Sequence, residues 1–360
     1  MWMEDRMAGR VAVIAGATGA ASKRLKEVLL ADAAWRVVGL SRNPPKSDDP
    51  RLSFLGADLT DAESTKAALA RVPEATHVFY TARAQFSDAS KGVEDVEGNA
   101  AMMRNLIDGA EASAKGLQHV HLVEGTKWYG MHLGRMSSPA REDDPRHMPP
   151  NFYYAQEDIL RERQKGKRWS WSASRPGFLY DFAPERPRNV PALIGVWAAM
   201  CREMGMRLEF PGKPLCYTAM FEATDASQLA RAVKWMATSE NAQNEAFNVT
   251  DNTVFRWERL WPRIAKFYDM EVGQVRPMNL GLWMADKGPV WETIARRHDL
   301  ASTRMEDVVT WNFGDFLLGI ETDVVSSTTK IRLAGFHDTV DTEDRILELL
   351  GKYREAKVFP

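Results

Sequence analysis

Val11-Ala12-Val13-Ile14-Ala15 running directly into Gly16-Ala17-Thr18-Gly19-Ala20-Ala21-Ser22 reads as a buried strand that turns through glycine into a helix. Small residues are needed at such a turn because a pyrophosphate must approach backbone N–H groups at the helix N-terminus. Gly16 permits the tight turn and Gly19 the close approach, with Thr18 and Ala20 in the same turn. Ser22 stands where the third glycine of the fingerprint belongs, which predicts looser packing of helix on strand. A glycine pair alone is a weak signal; one placed after a buried first strand is much stronger.

Outward from this turn the first 175 residues alternate strand and helix signals. Strands are expected at 36–40, 51–55, 77–81, 118–123 and 169–175, and helices at 20–31, 62–71, 96–113 and 152–164. Strands joined by helices of this length imply right-handed crossovers and a parallel sheet. Beyond Arg175 the pattern is less regular, with helices expected at 191–204, 226–238, 256–268 and 341–353 and a short strand at 246–249. The fold class is therefore α/β, a Rossmann-type doubly wound parallel sheet with a smaller, mixed C-terminal part. Residues 1–180 are expected to bind the nucleotide, with contributions from later segments, and 181–360 to form a mostly helical substrate-binding region. Residues 130–150 are rich in Pro, Ser, Asp and Arg without periodicity. A loop this long usually has a role, and a lid or rim of the site is the expected one.

The second strand closes with Gly39-Leu40-Ser41-Arg42. An acidic residue at that edge would accept the adenine ribose hydroxyls of NAD, whereas an Arg suits a 2′-phosphate. Ser41 and Arg42 therefore point to NADP(H), against the plainer alternative of a solvated surface Arg. Asp58 and Leu59, after the third strand, are placed to border the adenine. Thr81, ending the fourth, is expected near the nicotinamide ribose.

With 360 residues and 44% apolar side chains, the chain can bury one large α/β unit or two domains. A formal net charge of −2 gives no general attraction to nucleic acid or an anionic membrane. No run of about 18 apolar residues signals a membrane span. Residues 1–9 are charged and lack the apolar core of a signal peptide. Cys201 and Cys216, without a ligand cluster nearby, read as free thiols in a reducing compartment. These features predict a soluble cytoplasmic protein. His119 and His121 alternate on one strand face, but no third ligand stands at useful spacing. No metal is expected, and a half-exposed strand face is the better reading. Trp257 and Trp261, four apart on a helix, read as core or subunit interface. A serine hydrolase is disfavoured by the lack of a Gly-x-Ser-x-Gly elbow.

Asn151-Phe152-Tyr153-Tyr154-Ala155-Gln156-Glu157-Asp158 carries the chemistry. Dinucleotide-binding reductases commonly place a Lys four residues after a catalytic Tyr; here Glu157 follows Tyr153 at that spacing and Asp158 follows Tyr154. A carboxylate there would raise the pKa of the phenol rather than lower it. A Tyr kept protonated still donates a hydrogen bond to a carbonyl oxygen that gains negative charge. Lys127, in Gly125-Thr126-Lys127 after the strand at 118–123, lies at the C-terminal sheet edge and would supply the cation from across the site. Neighbours on a helix diverge by about 100°, so only one of Tyr153 and Tyr154 faces the cofactor, and spacing leaves both open.

Together these stretches resemble the progesterone 5β-reductase and iridoid synthase group, an atypical branch of the extended short-chain dehydrogenase/reductases. The similarity also takes in His77-Val78-Phe79-Tyr80, Trp128-Tyr129, Ser174-Arg175-Pro176-Gly177 and Asn244-Glu245-Ala246-Phe247-Asn248-Val249. Pro289-Val290-Trp291-Glu292 and Trp311-Asn312-Phe313-Gly314-Asp315 extend it towards the C-terminus. Asn-Phe-Tyr-Tyr followed by Glu-Asp is fairly specific to the group; the glycine turn is not. The resemblance implies NADPH-dependent reduction of a C=C bond conjugated to a carbonyl. Hydride would add to the β-carbon while Tyr153 hydrogen-bonds the enolate and Lys127 tunes its field. It further implies Phe313 in the substrate pocket, Pro176 and the backbone at Phe178 and Leu179 on the nicotinamide side, and a homodimer.

Three departures qualify what the resemblance implies. Thr126 stands where plant members carry an Arg before the Lys, and Asn43 where they carry a second Arg after the 2′-phosphate Arg. Ala82 and Arg83 stand in place of a pocket Trp. The first two thin the local cations, and the third reshapes the substrate pocket, so a steroid or iridoid substrate is not implied. The expected partner is a small apolar carbonyl compound. Two alternatives are 1,2-reduction of a ketone or aldehyde with the same Tyr, and a non-enzymatic NADP(H)-sensing regulator.

Overall fold

The computed structural model describes residues 9–84, 86–88 and 92–360. Its main sheet has seven parallel strands: β1 Arg10–Ala15, β2 Trp35–Ser41, β3 Leu52–Gly56, β4 His77–Tyr80, β5 His119–Val123, β6 Ser170–Pro176 and β7 Glu245–Val249. They lie in the order β7-β6-β5-β4-β1-β2-β3. The order reverses between β1 and β4, so the C-terminal strand ends open a crevice there. Helices α1 (Ala20–Leu30) and α5 (Ala226–Thr238) cover one face. Helices α2 (Ala62–Leu69), α3 (Val96–Ser113) and α4 (Phe152–Gln164) cover the other.

Burial on both faces explains why the central strands are apolar throughout rather than alternating. All four residues of β4 are buried. On one side Leu25 and Leu29 meet Leu229, Val233 and Met236. On the other, Leu69, Met103, Leu106 and Leu160 close the layer. Helix starts follow local chemistry: the side chains of Asp61, Asp95, Asn151 and Asp225 each accept from a first-turn N–H.

The chain beyond residue 180 completes this sheet through α5 and β7, and builds a second core around Trp197, Trp257, Trp261 and Trp291. Trp257 and Trp261 are core residues; the Trp261 indole donates to the Leu208 carbonyl at 3.0 Å. The short strands Phe178–Tyr180, Phe221–Asp225 and Val254–Phe255 form a separate three-stranded sheet. At two to five residues each, they are too short for a two-residue period to announce them.

The histidine expectation is corrected. His119 and His121 are fully buried beneath α5, not half-exposed. Their ring nitrogens meet the hydroxyls of Ser170, Ser172 and Ser174 on β6 at 2.7–3.1 Å. A buried imidazole needs such partners, and burial holds both rings neutral, His121 down at about 3. Among the described residues no three His, Cys, Asp or Glu side chains gather to hold a metal. No described helix is long and apolar enough to cross a membrane, and both cysteines are buried and free.

Residues 130–150 form an anchored strap. Ala140 exchanges backbone hydrogen bonds with Val325 and Ser327 at 2.8 and 2.7 Å, and Glu142 accepts from the Asn248 amide at 2.8 Å. Arg146 forks onto Asp158 of α4 at 2.7 and 2.8 Å. These ties fix the strap across the C-terminal ends of β6 and β7, so it forms a rim rather than a hinged lid.

Candidate active site

The glycine turn has the shape a phosphate needs. Gly16 has φ 79°, and a Cβ there would lie 2.8 Å from Ala82 Cα. Gly19 caps α1 with no side chain, and no acidic residue occupies the first turn. The first-turn N–H groups therefore stay open to an anion. Ser22 is fully buried, and its hydroxyl donates to the Gly16 carbonyl at 2.7 Å. Thr81 joins this arrangement, with its hydroxyl 2.7 Å from Ser22 Oγ and donating to the Ala15 carbonyl at 2.8 Å. Its oxygen thus braces the turn instead of projecting from it. Ala82, expected in the substrate pocket, packs against Gly16 on the nucleotide side.

Around the turn, Thr18 and Ala20 are exposed, as is Arg42 at the end of β2. Arg42 lies in the field of Asp58, whose carboxyl is held below its usual range chiefly by hydrogen bonds from Thr60. Ser41 accepts at its carbonyl from Ala57, and Leu59 is buried with its carbonyl bonded to Asn105. Segment 181–189 comes down over α1: Asp181 receives Arg24 at 2.9 and 3.0 Å, and Arg186 bonds the Thr18 carbonyl.

At the other side of the crevice the two tyrosines have different surroundings. The Tyr154 hydroxyl donates to the Trp128 carbonyl at 2.6 Å and accepts from the His147 amide at 3.1 Å. The Tyr153 hydroxyl has no hydrogen-bond partner among the described residues. It lies over Gly125, where an added Cβ would be 3.3 Å from it and 3.7 Å from the Pro176 carbonyl. Phe178 and Leu179, just beyond, pair with Ala223 and Thr224 of the small sheet.

Asn151 ties Tyr153 to Lys127. Its side-chain oxygen accepts from the Tyr153 amide at 2.9 Å, and its nitrogen donates to the Lys127 carbonyl at 2.9 Å. This N-cap is what the Asn of the motif does, a link that spacing alone could not reveal. The Lys127 ammonium donates to Glu94 at 2.7 Å, and Arg83 reaches the same carboxylate at 2.6 Å. Burial alone would raise the Glu94 carboxyl, but the bonds from Lys127 and Arg83 outweigh it and hold the group ionised. Burial lowers Lys127, with Glu94 opposing and Arg83 adding to the fall. Burial also raises the Tyr153 phenol, so it is protonated at neutral pH.

Glu157 does not face Tyr153's hydroxyl, contrary to expectation. It is fully buried, accepting from Trp128 Nε1 at 3.0 Å, Arg175 at 2.8 Å and Arg161 at 2.7 Å. Arg175 also holds Glu124 at 2.9 Å and stacks 3.6 Å from the Trp128 ring centroid. Phe313 lies 5.3 Å beneath the guanidinium of Arg188, a residue that sequence reasoning missed along with Glu94 and Asn151's linking role.

A Rossmann sheet whose crevice gathers a glycine turn, a Tyr and a Lys defines the class: a dinucleotide-dependent oxidoreductase. The model of the PRISE-like Rossmann-fold domain matches residues 51–360, and the chain belongs to that family. A 3-oxo-Delta(4,5)-steroid 5-beta-reductase from Arabidopsis thaliana is 34% identical over 369 residues, spanning 97% of this chain and 93% of that protein. An (S)-8-oxocitronellyl enol synthase from Nepeta racemosa is 33% identical over 365 residues, with 97% and 93% covered. Solved structures share the fold at lower identity. A putative epimerase from Burkholderia cenocepacia superposes with TM-score 0.68 at 18% identity, covering 98% of this chain and 100% of that one. A short-chain dehydrogenase/reductase superfamily protein from Agrobacterium tumefaciens with bound NAD gives 0.67 at 14%, covering 96% and 97%.

Proposed function

We propose that the protein reduces the C=C bond of an α,β-unsaturated carbonyl compound with NADPH, using Tyr153 and Lys127. The observation that carries this is the contrast between the two tyrosines. Tyr154 is committed to the Trp128 carbonyl, while Tyr153 presents an unpartnered hydroxyl above Gly125 at the sheet edge. The name of the Arabidopsis relative specifies a 4,5 double bond conjugated with a 3-oxo group, which supports the same reaction type.

The residues present fit a dinucleotide. The uncapped first turn of α1 and the Cβ-free surface of Gly16 suit its phosphates; Arg42 would take the 2′-phosphate, and Asp58 and Leu59 would border the adenine. When bound, the nicotinamide supplies a hydride for the β-carbon. Tyr153 donates a hydrogen bond to the carbonyl oxygen as it gains charge. Lys127, fixed by Glu94, adds a positive field to that oxygen. The resulting enolate takes its proton at the α-carbon from solvent, giving the saturated carbonyl product.

On this reading residues 1–180 bind the nucleotide, with α5 and β7 completing the sheet, and 181–360 shape the substrate side. A homodimer in the cytoplasm belongs to the same reading; the two buried thiols suit a reducing compartment. Product analysis with 2-cyclohexenone and NADPH tests the chemistry. Cyclohexanone is expected; 2-cyclohexenol would replace the proposal with 1,2-reduction, and no NADPH oxidation across a broad enone panel would favour a sensor.

A further inference from the structure

The catalytic edge carries more positive charge than its carboxylate balances. Lys127 donates to Glu94 Oε1 at 2.7 Å, and Arg83 reaches both oxygens of the same carboxylate at 2.6 Å. Arg188 approaches the same edge from the segment that leads into helix Val190–Glu203. Its guanidinium lies in the fields of Arg83 and Glu94, and Lys127 in turn feels Arg188. Among the described residues Arg188 has no ion-pair partner, and Glu94 is the only carboxylate within salt-bridge distance of Lys127 or Arg83. The nearby carboxylates Glu124 and Glu157 are committed to Arg175.

Aromatic rings lie beside both guanidinium groups. Arg83 lies 4.8 Å over Phe86 and 5.4 Å over Phe152, and Arg188 lies 5.3 Å over Phe313. Arg83 gives its N–H group to both Glu94 oxygens, whereas the N–H groups of Arg188 have no hydrogen-bond partner among the described residues and suit a carboxylate. The nucleotide phosphates do not account for Arg188, because the neighbour that reaches the glycine turn is Arg186, through the Thr18 carbonyl.

We propose that Arg188, with Arg83, recognises a carboxylate on the substrate, so that the site takes an α,β-unsaturated carbonyl compound bearing an acidic group. The proposal rests on the enone-reductase reading and departs from the expected apolar substrate. A neutral molecule in this pocket would strip water from the cations without replacing it. An anion restores the balance and is drawn in by the local field.

The test compares trans-4-oxo-2-pentenoate with its methyl ester. NADPH-dependent reduction is measured in wild type and Arg188→Ala, as kcat and KM separately. Binding of 4-oxopentanoate and its methyl ester to the NADP+-saturated protein is measured by calorimetry. Wild type is expected to favour the acid by about tenfold or more, the size of a charged hydrogen-bonded contact. Arg188→Ala should collapse that ratio through the KM of the acid, and raised salt should do the same. Equal binding of acid and ester, or equal loss of both in Arg188→Ala, overturns the proposal. Reduction of the ester without preference for the acid overturns it while leaving the enone-reductase reading intact. Acid-selective binding without reduction of either compound keeps the carboxylate site and removes that reading.

Discussion

Glu157, four residues after Tyr153, holds the Arg175 guanidinium at 2.8 Å in the interior of the fold. The position at which other reductases carry a Lys is therefore a structural anchor. Glu157 and Glu124 meet one guanidinium on the face of Trp128, and Trp128 directly follows Lys127 in the chain. The buried ion group thus fixes the turn that carries Lys127.

Replacing this anchor should cost stability rather than restore an ordinary site. Glu157→Lys, which recreates the Tyr-to-Lys spacing, would bury a second cation against Arg175. Arg175→Met would leave the buried Glu124 without its ion partner and Glu157 with Arg161 alone, a loss of about 3–5 kcal/mol for breaking such a group. Urea denaturation of both variants checks this. A Glu157→Lys protein with wild-type stability would show that the buried group does not hold the site.

The two tyrosines should separate activity from stability. Tyr153→Phe removes a hydroxyl with no partner among the described residues, so its unfolding midpoint should match wild type. Its kcat for enone reduction should fall about 100-fold or more, the scale of losing one oxyanion donor. Tyr154→Phe removes the bonds to Trp128 and His147 and should lose about 1–3 kcal/mol of stability, with a smaller effect on kcat. The reverse pattern would reassign the acid to Tyr154.

Much of this was legible in the sequence, for reasons that differ by residue. The strands of the sheet are buried on both faces, so runs such as Val11-Ala12-Val13-Ile14 announce themselves without any partner being known. Tyr153 and Lys127 could be singled out as candidates because each belongs to a local motif. The fate of Glu157 was not legible, because its partners Arg175 and Trp128 lie on β6 and in the turn after β5, and helical spacing reports only neighbours on the same helix. Arg188 comes from an irregular segment and Glu94 from a two-residue strand, and both reach Lys127 and Arg83 only through the tertiary fold. Ser22 escaped for a related reason: its hydroxyl is paired with the Gly16 carbonyl, a contact that the spacing of the glycines does not report.

Cofactor choice should turn on Arg42. It is exposed at the end of β2 with no ion-pair partner among the described residues, so its removal should leave the fold intact. Arg42→Ala is expected to raise the KM for NADPH about tenfold or more, as for loss of a charge-assisted phosphate contact, while NADH changes little. Equal losses for the two cofactors would remove Arg42 from the 2′-phosphate role.

Stability should also depend on pH through Glu222. This carboxyl is buried behind Gly177, where the main sheet meets the small one, and accepts from the Ser326 amide and hydroxyl at 2.6 Å each. Burial raises it to about 7, with the Ser326 bonds opposing. The folded state therefore keeps a proton that the unfolded chain releases above its ordinary value of 4.5. Its contribution to stability is fully present below that value and is lost as pH rises through about 7. Asp251, raised to about 6, acts in the same direction. Glu222→Gln keeps a neutral group that can both accept from the amide and donate to the hydroxyl. Near pH 5 it should match wild type. By pH 8.5 it should be the more stable protein by about 1–3 kcal/mol, since each tenfold change in proton affinity is worth about 1.4 kcal/mol. Urea unfolding at pH 5, 7 and 8.5 measures the difference, and a gap that stays constant across that range would mean that Glu222 is ionised throughout.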